Sequence, residues 1–339
     1  MSAVLPNHAV ASHRAPWWLP GGHLQTILPS LFARATVGAE PKFRRERWTT
    51  PDQDFIDVDF LVDPPGAGAG AEAATRPLLV LFHGLEGSSR SGYAKAFACL
   101  ARDNGWSYAV PHFRGCSGEL NLAPRAYHSG DYEEVDWILQ RMSERRGGPV
   151  TAVGISLGGN MLLRWAEESG ESAARKARAV AAVCSPIDMA AGGNAISRGF
   201  SLHTYTRMFL GTMKPKALAK LRQHPGLFDE RRLRAARTLY EFDNVFTAPL
   251  HGFRDTEDYW TKSSAKPKLS DIRIPALVLN ALNDPFVPGH SLPKQHEVGE
   301  HVTLWQPKHG GHVGFAEGRL PPGNMMKMPT SVFGWLKGH

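Results

Sequence analysis

Two kinds of hydrophobic pattern alternate along the chain. Continuous apolar runs at residues 77–82 (Pro-Leu-Leu-Val-Leu-Phe), 150–153 (Val-Thr-Ala-Val) and 179–184 (Ala-Val-Ala-Ala-Val-Cys) read as strands buried on both faces. Shorter strands are predicted at 107–111, 275–280 and 301–305. Residues 93–103, 131–145 and the stretch from Met161 carry helix-compatible patterns, and 330–336 predicts a terminal helix lying back on the sheet. Strands that alternate with helices imply a mainly parallel sheet covered on both sides. Ahead of it, 42–49 and 54–62 alternate apolar and polar residues, as a two-stranded antiparallel edge does.

Three segments depart from this rhythm. Residues 17–27 (Trp-Trp-Leu-Pro-Gly-Gly-His-Leu-Gln-Thr-Ile) place two aromatics and a Gly-Gly turn before a short helix candidate. An N-terminal arm packed on the domain is preferred there over a substrate contact. Residues 64–70 (Pro-Pro-Gly-Ala-Gly-Ala-Gly) cannot hold regular structure and predict an exposed loop, too short to divide domains. From 187 to 269 no convincing strand occurs, only helix-like pieces between glycines and prolines. This predicts a helical cap insertion, 187–269, within a single domain spanning 1–339. No internal repeat is visible.

With 42% hydrophobic and 21% charged residues, a chain of 339 residues has the balance of a soluble globular protein with a substantial core. Its formal charge of +7 fits an anionic substrate or surface, and no nucleic-acid motif accompanies it, so no nucleic-acid partner is expected. The charge is concentrated: residues 214–237 hold eight Lys or Arg and two acidic residues, 8 − 2 = +6. A solvated helix face is the preferred reading. The sharper one is a cap that draws anionic substrates or phospholipid headgroups. Three cysteines (Cys99, Cys116, Cys184) have no metal-ligand spacing and, being odd in number, give no disulfide framework; reduced thiols in a cytoplasmic setting fit best. Residues 1–16 lack the apolar core of a secretory signal, and no window approaches the roughly 18 apolar residues of a membrane span. Loose attachment to a membrane surface stays open, as does the oligomeric state.

The chemistry centres on residues 154–158, Gly-Ile-Ser-Leu-Gly, between a predicted strand and a helix. This is the nucleophile-elbow pattern, in which a sharp turn lifts the serine oxygen above the sheet edge. A serine hydroxyl needs a base, and the base needs an orienting group. In elbow enzymes the chain order is Ser, acid, His. Asp284 follows a predicted strand at 284 − 156 = 128 residues beyond Ser156, although an aspartate before proline also starts turns. His312, in His-Gly-Gly-His-Val-Gly-Phe, follows the next strand, with His309 as rival base. Oxyanion donors are expected at the backbone N–H of Leu157 and, in the His83-Gly84-Leu85-Glu86-Gly87-Ser88 loop, of Leu85.

Residues 17–27, 83–88, 112–118, 154–160, 283–286 and 310–315 together resemble the YheT-like group of α/β-hydrolases, often described as predicted esterases or hydrolases, with membrane-associated eukaryotic relatives acting on lipids. The matching blocks run from about residue 17 to the C-terminus. The resemblance implies an α/β-hydrolase fold, with a mostly parallel eight-stranded sheet flanked by helices and a helical cap. It implies Ser156, Asp284 and His312 as a triad, and it does not fix the substrate.

In the 112–118 loop Arg114 is read as tying the loop down rather than holding a substrate anion, and Cys116 as a packing residue rather than a nucleophile. Residues 247–253, with Asp255 and Asp258, read as the hinge returning the cap to the core; a binuclear metal site there matches no known spacing. The expected activity is hydrolysis of carboxylic esters with apolar or lipid-like acyl groups, through an acyl-enzyme and with no cofactor or metal. The alternatives are acyl transfer from the same acyl-enzyme and a non-catalytic binding protein on a hydrolase fold.

Overall fold

The computed structural model describes residues 12–63 and 76–339; the predicted loop at 64–70, and residues 1–11 of the N-terminal stretch, lie outside the described residues. Eight strands form one sheet: β1 (Phe43–Thr49), β2 (Phe55–Leu61), β3 (Leu78–Phe82), β4 (Ser107–Pro111), β5 (Val150–Ile155), β6 (Ala177–Val183), β7 (Ala276–Leu279) and β8 (Val302–Trp305). Their order is β1-β2-β4-β3-β5-β6-β7-β8. β2 pairs antiparallel with β1 and with β4, and every other pairing is parallel. The sheet is thus mostly parallel, as the alternation of elements requires.

Side chains of a strand alternate between the two faces, so each apolar run feeds two cores. Leu79, Leu81, Val153 and Ile155 pack with Phe97, Val332 and Leu336, from the helices Gly92–Asp103 and Lys327–Lys337. Val80, Phe82, Ala152 and Val180 pack instead with Ile138, Leu162 and Trp165, from Tyr132–Arg146 and Leu157–Ser169. Burial on both faces is why these runs lack polar residues.

The antiparallel edge departs from simple alternation. β1 is the outer strand, whereas Asp57 and Asp59 of β2 are buried. Arg47 and Arg45 grip them in two-pronged hydrogen bonds of 2.7–3.0 Å. Burial alone would raise the Asp59 carboxyl, but hydrogen bonds from Arg45, His112 and Ser89 hold it well below the usual carboxylate range. The polar positions of β2 face a charge network, and water does not reach them.

Between β6 and β7 the chain is helical, chiefly Met189–Ile196, Arg207–Gln223, Glu230–Ala235, Leu239–Val245 and Thr256–Ser263. Local chemistry starts them. Asp188, Asp229 and Asp255 cap backbone N–H groups, and Thr238 with Glu241 forms a capping box. Asp255 therefore begins a helix, and Asp258 pairs with Lys262 in the same one. Leu210, Leu233, Phe242 and Phe246 give this segment its own apolar cluster. Among the described residues, no helix is long and apolar enough to cross a membrane.

Arg114 is 5% exposed and pairs with Asp52 and Asp54 at 2.8 Å and with Glu134 at 2.5 Å. It ties the 112–118 loop to the turn between β1 and β2 and to the helix Tyr132–Arg146. Arg114→Met should therefore cost about 3–5 kcal/mol in urea unfolding, because Asp54 and Glu134 stay buried without their cation. Unchanged stability combined with a raised KM for anionic substrates would instead make Arg114 a substrate-binding group.

Candidate active site

β5 ends at Ile155, and the helix Leu157–Ser169 begins two residues later. The reversal falls on Ser156, at φ 53° and ψ −119°. A side chain there is strained by about 1–3 kcal/mol, and the bond from Ser156 N–H to the Val183 carbonyl (2.8 Å) helps to hold it. Strand and helix pass so close that a Cβ on Gly154 would lie 2.4 Å from the Gly158 carbonyl oxygen. That contact explains why glycines flank the serine.

Asp284 stands after β7 and His312 after β8. One Asp284 oxygen accepts the N–H groups of Phe286 (2.7 Å) and Val287 (3.3 Å), so the turn expected of an Asp-Pro pair is present and also aims the carboxylate. The other accepts His312 Nδ1–H at 2.9 Å, and His312 Nε2 lies 3.0 Å from Ser156 Oγ. Those partners set the tautomer: Nδ1 carries the hydrogen and Nε2 is free to accept one. Phe286 stacks on the imidazole, 4.0 Å between centroids and 23° between planes. His309 is exposed and stands outside this chain of bonds.

Leu85 and Leu157 border the same cleft as Ser156 and His312. Leu157 is the first residue of its helix, so its N–H has no intrahelical acceptor. Around Leu85 the neighbouring amides are occupied: Gly84 N–H donates to Tyr93 Oη (3.0 Å), Glu86 N–H to Tyr127 Oη (3.1 Å) and Gly87 N–H to the Gly84 carbonyl (2.9 Å). The loop is held from below by His83, which donates from Nδ1 to the Gly84 carbonyl (2.8 Å) and accepts Phe113 N–H at Nε2 (3.0 Å). Burial pushes this imidazole down to about 3, so it stays neutral in that role. From the side, Glu86 accepts the Tyr127 hydroxyl (2.9 Å) and pairs with Lys216 (2.7 Å). His83 was visible in the sequence only as part of a turn motif, and Tyr127 carried no signal at all.

The basic segment 214–237 divides in two. Lys220 is buried, donates to the carbonyls of Asn121 and Ala123, and is lowered by burial to about 8. Lys216 is engaged by Glu86, and Lys214 donates to the Arg234 carbonyl. The lysines thus face protein, while Arg231, Arg232, Arg234 and Arg237 are exposed. Cys116 is pushed up to about 12 by burial, which keeps it a thiol. Cys184, Asp284 and His312 bring potential ligand atoms within 4.8 Å of one another. Two of them are spent on their mutual hydrogen bond, and burial holds the Cys184 thiol far above its usual range, a poor state for a ligand.

Beside Ser156 opens a cleft of about 1190 Å³. Met189, Ile196, Phe209, Phe242, Phe246 and Trp260, all from the helical segment, make most of its wall apolar. Lys216, Lys220 and Asp243 of the same segment also line it, with Glu86 and Arg114 from the loops at the sheet edge, and Asp243 is the acidic member from the helices. It is buried, accepts Thr247 Oγ1–H (2.6 Å) and Trp260 Nε1–H (2.9 Å), and is pushed up to about 6 by that burial.

Residues 77–319 match the model of the alpha/beta hydrolase fold family. The chain is 39% identical over 301 residues to the protein named "Putative esterase YheT" of Escherichia coli (strain K12), covering 88% of this chain and 85% of that one. It is 30% identical over 306 residues to "Phospholipase ABHD3" of Mus musculus, covering 88% and 71%. Among solved structures, DcsB in complex with its substrate analogue superposes with a TM-score of 0.54 at 13% identity, over 88% of this chain and 99% of that one. At that identity the likeness concerns the fold alone.

The Asp243–Trp260 contact should report on its own protonation. Below about pH 6 the carboxyl is neutral, and above it a charge appears against the indole N–H. The fluorescence difference between the protein and its Asp243→Asn variant should follow one titration centred near pH 6. A difference that does not vary with pH would show that Asp243 keeps one protonation state across the range and does not titrate near pH 6.

Proposed function

This chain belongs to the alpha/beta hydrolase fold family, and from that premise we propose that it is a serine hydrolase of carboxylic esters with apolar, lipid-like acyl groups. The observation that carries the reading is the unbroken hydrogen-bond chain from Ser156 through His312 to Asp284, at the mouth of an apolar cleft. The names of the two relatives, an esterase and a phospholipase, both describe attack on an ester.

In this mechanism Ser156 Oγ attacks the ester carbonyl carbon while His312 Nε2 takes its proton. Asp284 holds the imidazole by Nδ1–H and stabilises its cationic form. The carbonyl oxygen becomes an oxyanion and accepts the N–H groups of Leu85 and Leu157. His312 returns its proton to the leaving alcohol. Water, deprotonated by the same imidazole, then attacks the acyl-enzyme, and the acid departs as Ser156 regains its hydrogen. The helical segment 187–269 serves as a cap: its apolar side chains receive the acyl chain and exclude water from the ester. Glu86, held by Tyr127 and Lys216, keeps the Leu85 amide aimed at the oxyanion, so Lys216 acts on the loop.

A fluorophosphonate probe should label the protein at Ser156. Ser156→Ala and His312→Ala should each lower turnover of a short activated ester by about 10⁴-fold or more, while His309→Ala keeps most of it. Near wild-type turnover by folded Ser156→Ala would end the serine-hydrolase reading. Loss on His309→Ala with retention on His312→Ala would reassign the base.

The cleft carries a second expectation. Ionisation of Asp243 above about pH 6 places a charge in an apolar wall. In a Ser156→Ala background, which binds without turnover, affinity for a long-chain ester should fall as pH rises through that value. Asp243→Asn should remove the dependence. The same pH dependence in that variant would assign it to another group lining the cleft, and no dependence in the Ser156→Ala parent would place the acyl chain away from Asp243.

A further inference from the structure

The loop bearing His312 has a long way to reach. It leaves β8, which lies three strands from β5 in the sheet, so at about 4.8 Å per strand the imidazole must be carried roughly 14 Å back to Ser156. At the sheet, Cys184, just after β6, accepts Val313 N–H (3.3 Å) and donates to the Gly311 carbonyl (3.8 Å). Further contacts, to Gly310 and to the backbone N–H of His312 itself, come from the other end of the chain, the helix Gly21–Phe32.

This helix turns two polar side chains inward: Gln25 is 3% exposed and Thr26 8%. Thr26 Oγ1 accepts the backbone N–H of His312 at 2.8 Å and donates to the Gly22 carbonyl at 2.8 Å, so both functions of the hydroxyl are used. Gln25 Oε1 accepts Asn283 Nδ2–H (2.9 Å) and Gly310 N–H (2.9 Å), and its Nε2 donates to the Leu19 carbonyl (2.8 Å). Asn283 Oδ1 in turn accepts Gly311 N–H (3.1 Å). The residue before Asp284 and the residues before His312 are thus fastened to one point on one helix.

The glycines of both motifs belong to this contact. A Cβ on Gly22 would lie 1.9 Å from the Asn283 carbonyl oxygen, and one on Gly314 would lie 1.8 Å from that of Gln25. Gly-Gly-His-Leu-Gln-Thr near the N-terminus and Gly-Gly-His-Val-Gly near the C-terminus are two halves of a single backbone-to-backbone joint.

We propose that Thr26 and Gln25 are positioning residues of the active site, a strut that sets the His312 loop and the Asp284 loop at the separation the triad requires. The proposal rests on the serine-hydrolase reading above. Neither side chain touches substrate, so each acts on alignment and leaves binding alone.

Thr26→Val keeps the shape and removes the hydroxyl, whereas Thr26→Ser restores it. With competent sites counted by fluorophosphonate titration, Thr26→Val should lower kcat per site by about 10- to 100-fold with KM within about twofold, and Thr26→Ser should recover most of the loss. The far-downfield proton resonance of His312 Nδ1–H, present in the wild type and absent from Asp284→Asn, should broaden or move in Thr26→Val and return in Thr26→Ser. Should Thr26→Val fold poorly, Asn283→Ser cuts the other tie of the same strut, from Gln25 through Asn283 to Gly311, on the half-exposed loop side and carries the same expectations. Wild-type kcat and resonance in Thr26→Val or Asn283→Ser, or no recovery in Thr26→Ser, would overturn the strut. A wild type that turns over no ester would sink the hydrolase reading, and the resonance would still decide the strut.

Discussion

Parallel pairing is the constraint on which the site depends. β3, β5, β7 and β8 all run the same way, so the loops after them emerge at one edge of the sheet. Leu85, Ser156, Asp284 and His312 each sit on one of those four loops. Antiparallel pairing would have sent alternate loops to opposite edges. Parallel strands also need crossover helices, and those cover both faces, which is why the strands read as unbroken apolar runs.

Where the sheet becomes antiparallel, the chemistry of its interior changes. Asp57 and Asp59 are buried there, paired with the exposed Arg45 and Arg47 and, for Asp59, the buried His112, and Arg114 is buried nearby with Asp54 and Glu134 and pairs also with the exposed Asp52. Such networks cost desolvation energy and stabilise only when every member is satisfied. Here they fix the 112–118 loop, whose Phe113 N–H bonds to His83 beneath the Leu85 turn. The charged edge is therefore joined to the Leu85 loop by a short run of hydrogen bonds.

The helical segment and the N-terminal helix approach the site from opposite sides and meet over it. Lys216 reaches Glu86, beside Leu85. His23 meets Tyr205 at 3.1 Å, Tyr205 lies edge-on to Phe286, and Phe286 stacks on His312. Both additions thus touch the loops that carry Leu85, Asp284 and His312, and residues of the helical segment and of those loops line the cleft.

Local pattern alone was enough to read strands at 77–82, 107–111 and 150–153, found at 78–82, 107–111 and 150–155, with the crossover helices and the serine at the strand-to-helix turn, because period and turn chemistry act over a few residues. The chain order serine, acid, histidine marked Asp284 and His312 for a similar reason: each follows a strand, and a strand's end is legible. Other features needed the folded molecule. Alternation made β2 look half exposed, yet its aspartates are buried, because the arginines that neutralise them come from β1 and, for Asp59, a histidine comes from the loop after β4. The count of charges at 214–237 could not separate lysines that bond protein carbonyls and Glu86 from arginines that face water. Gln25 and Thr26 read as part of a packed arm, since their partners lie 258, 285 and 286 residues away. Sequence reports what each segment prefers by itself. Which segments touch across hundreds of residues is settled by close packing and by the demand that every buried polar group find a partner, and these act only once the chain has folded.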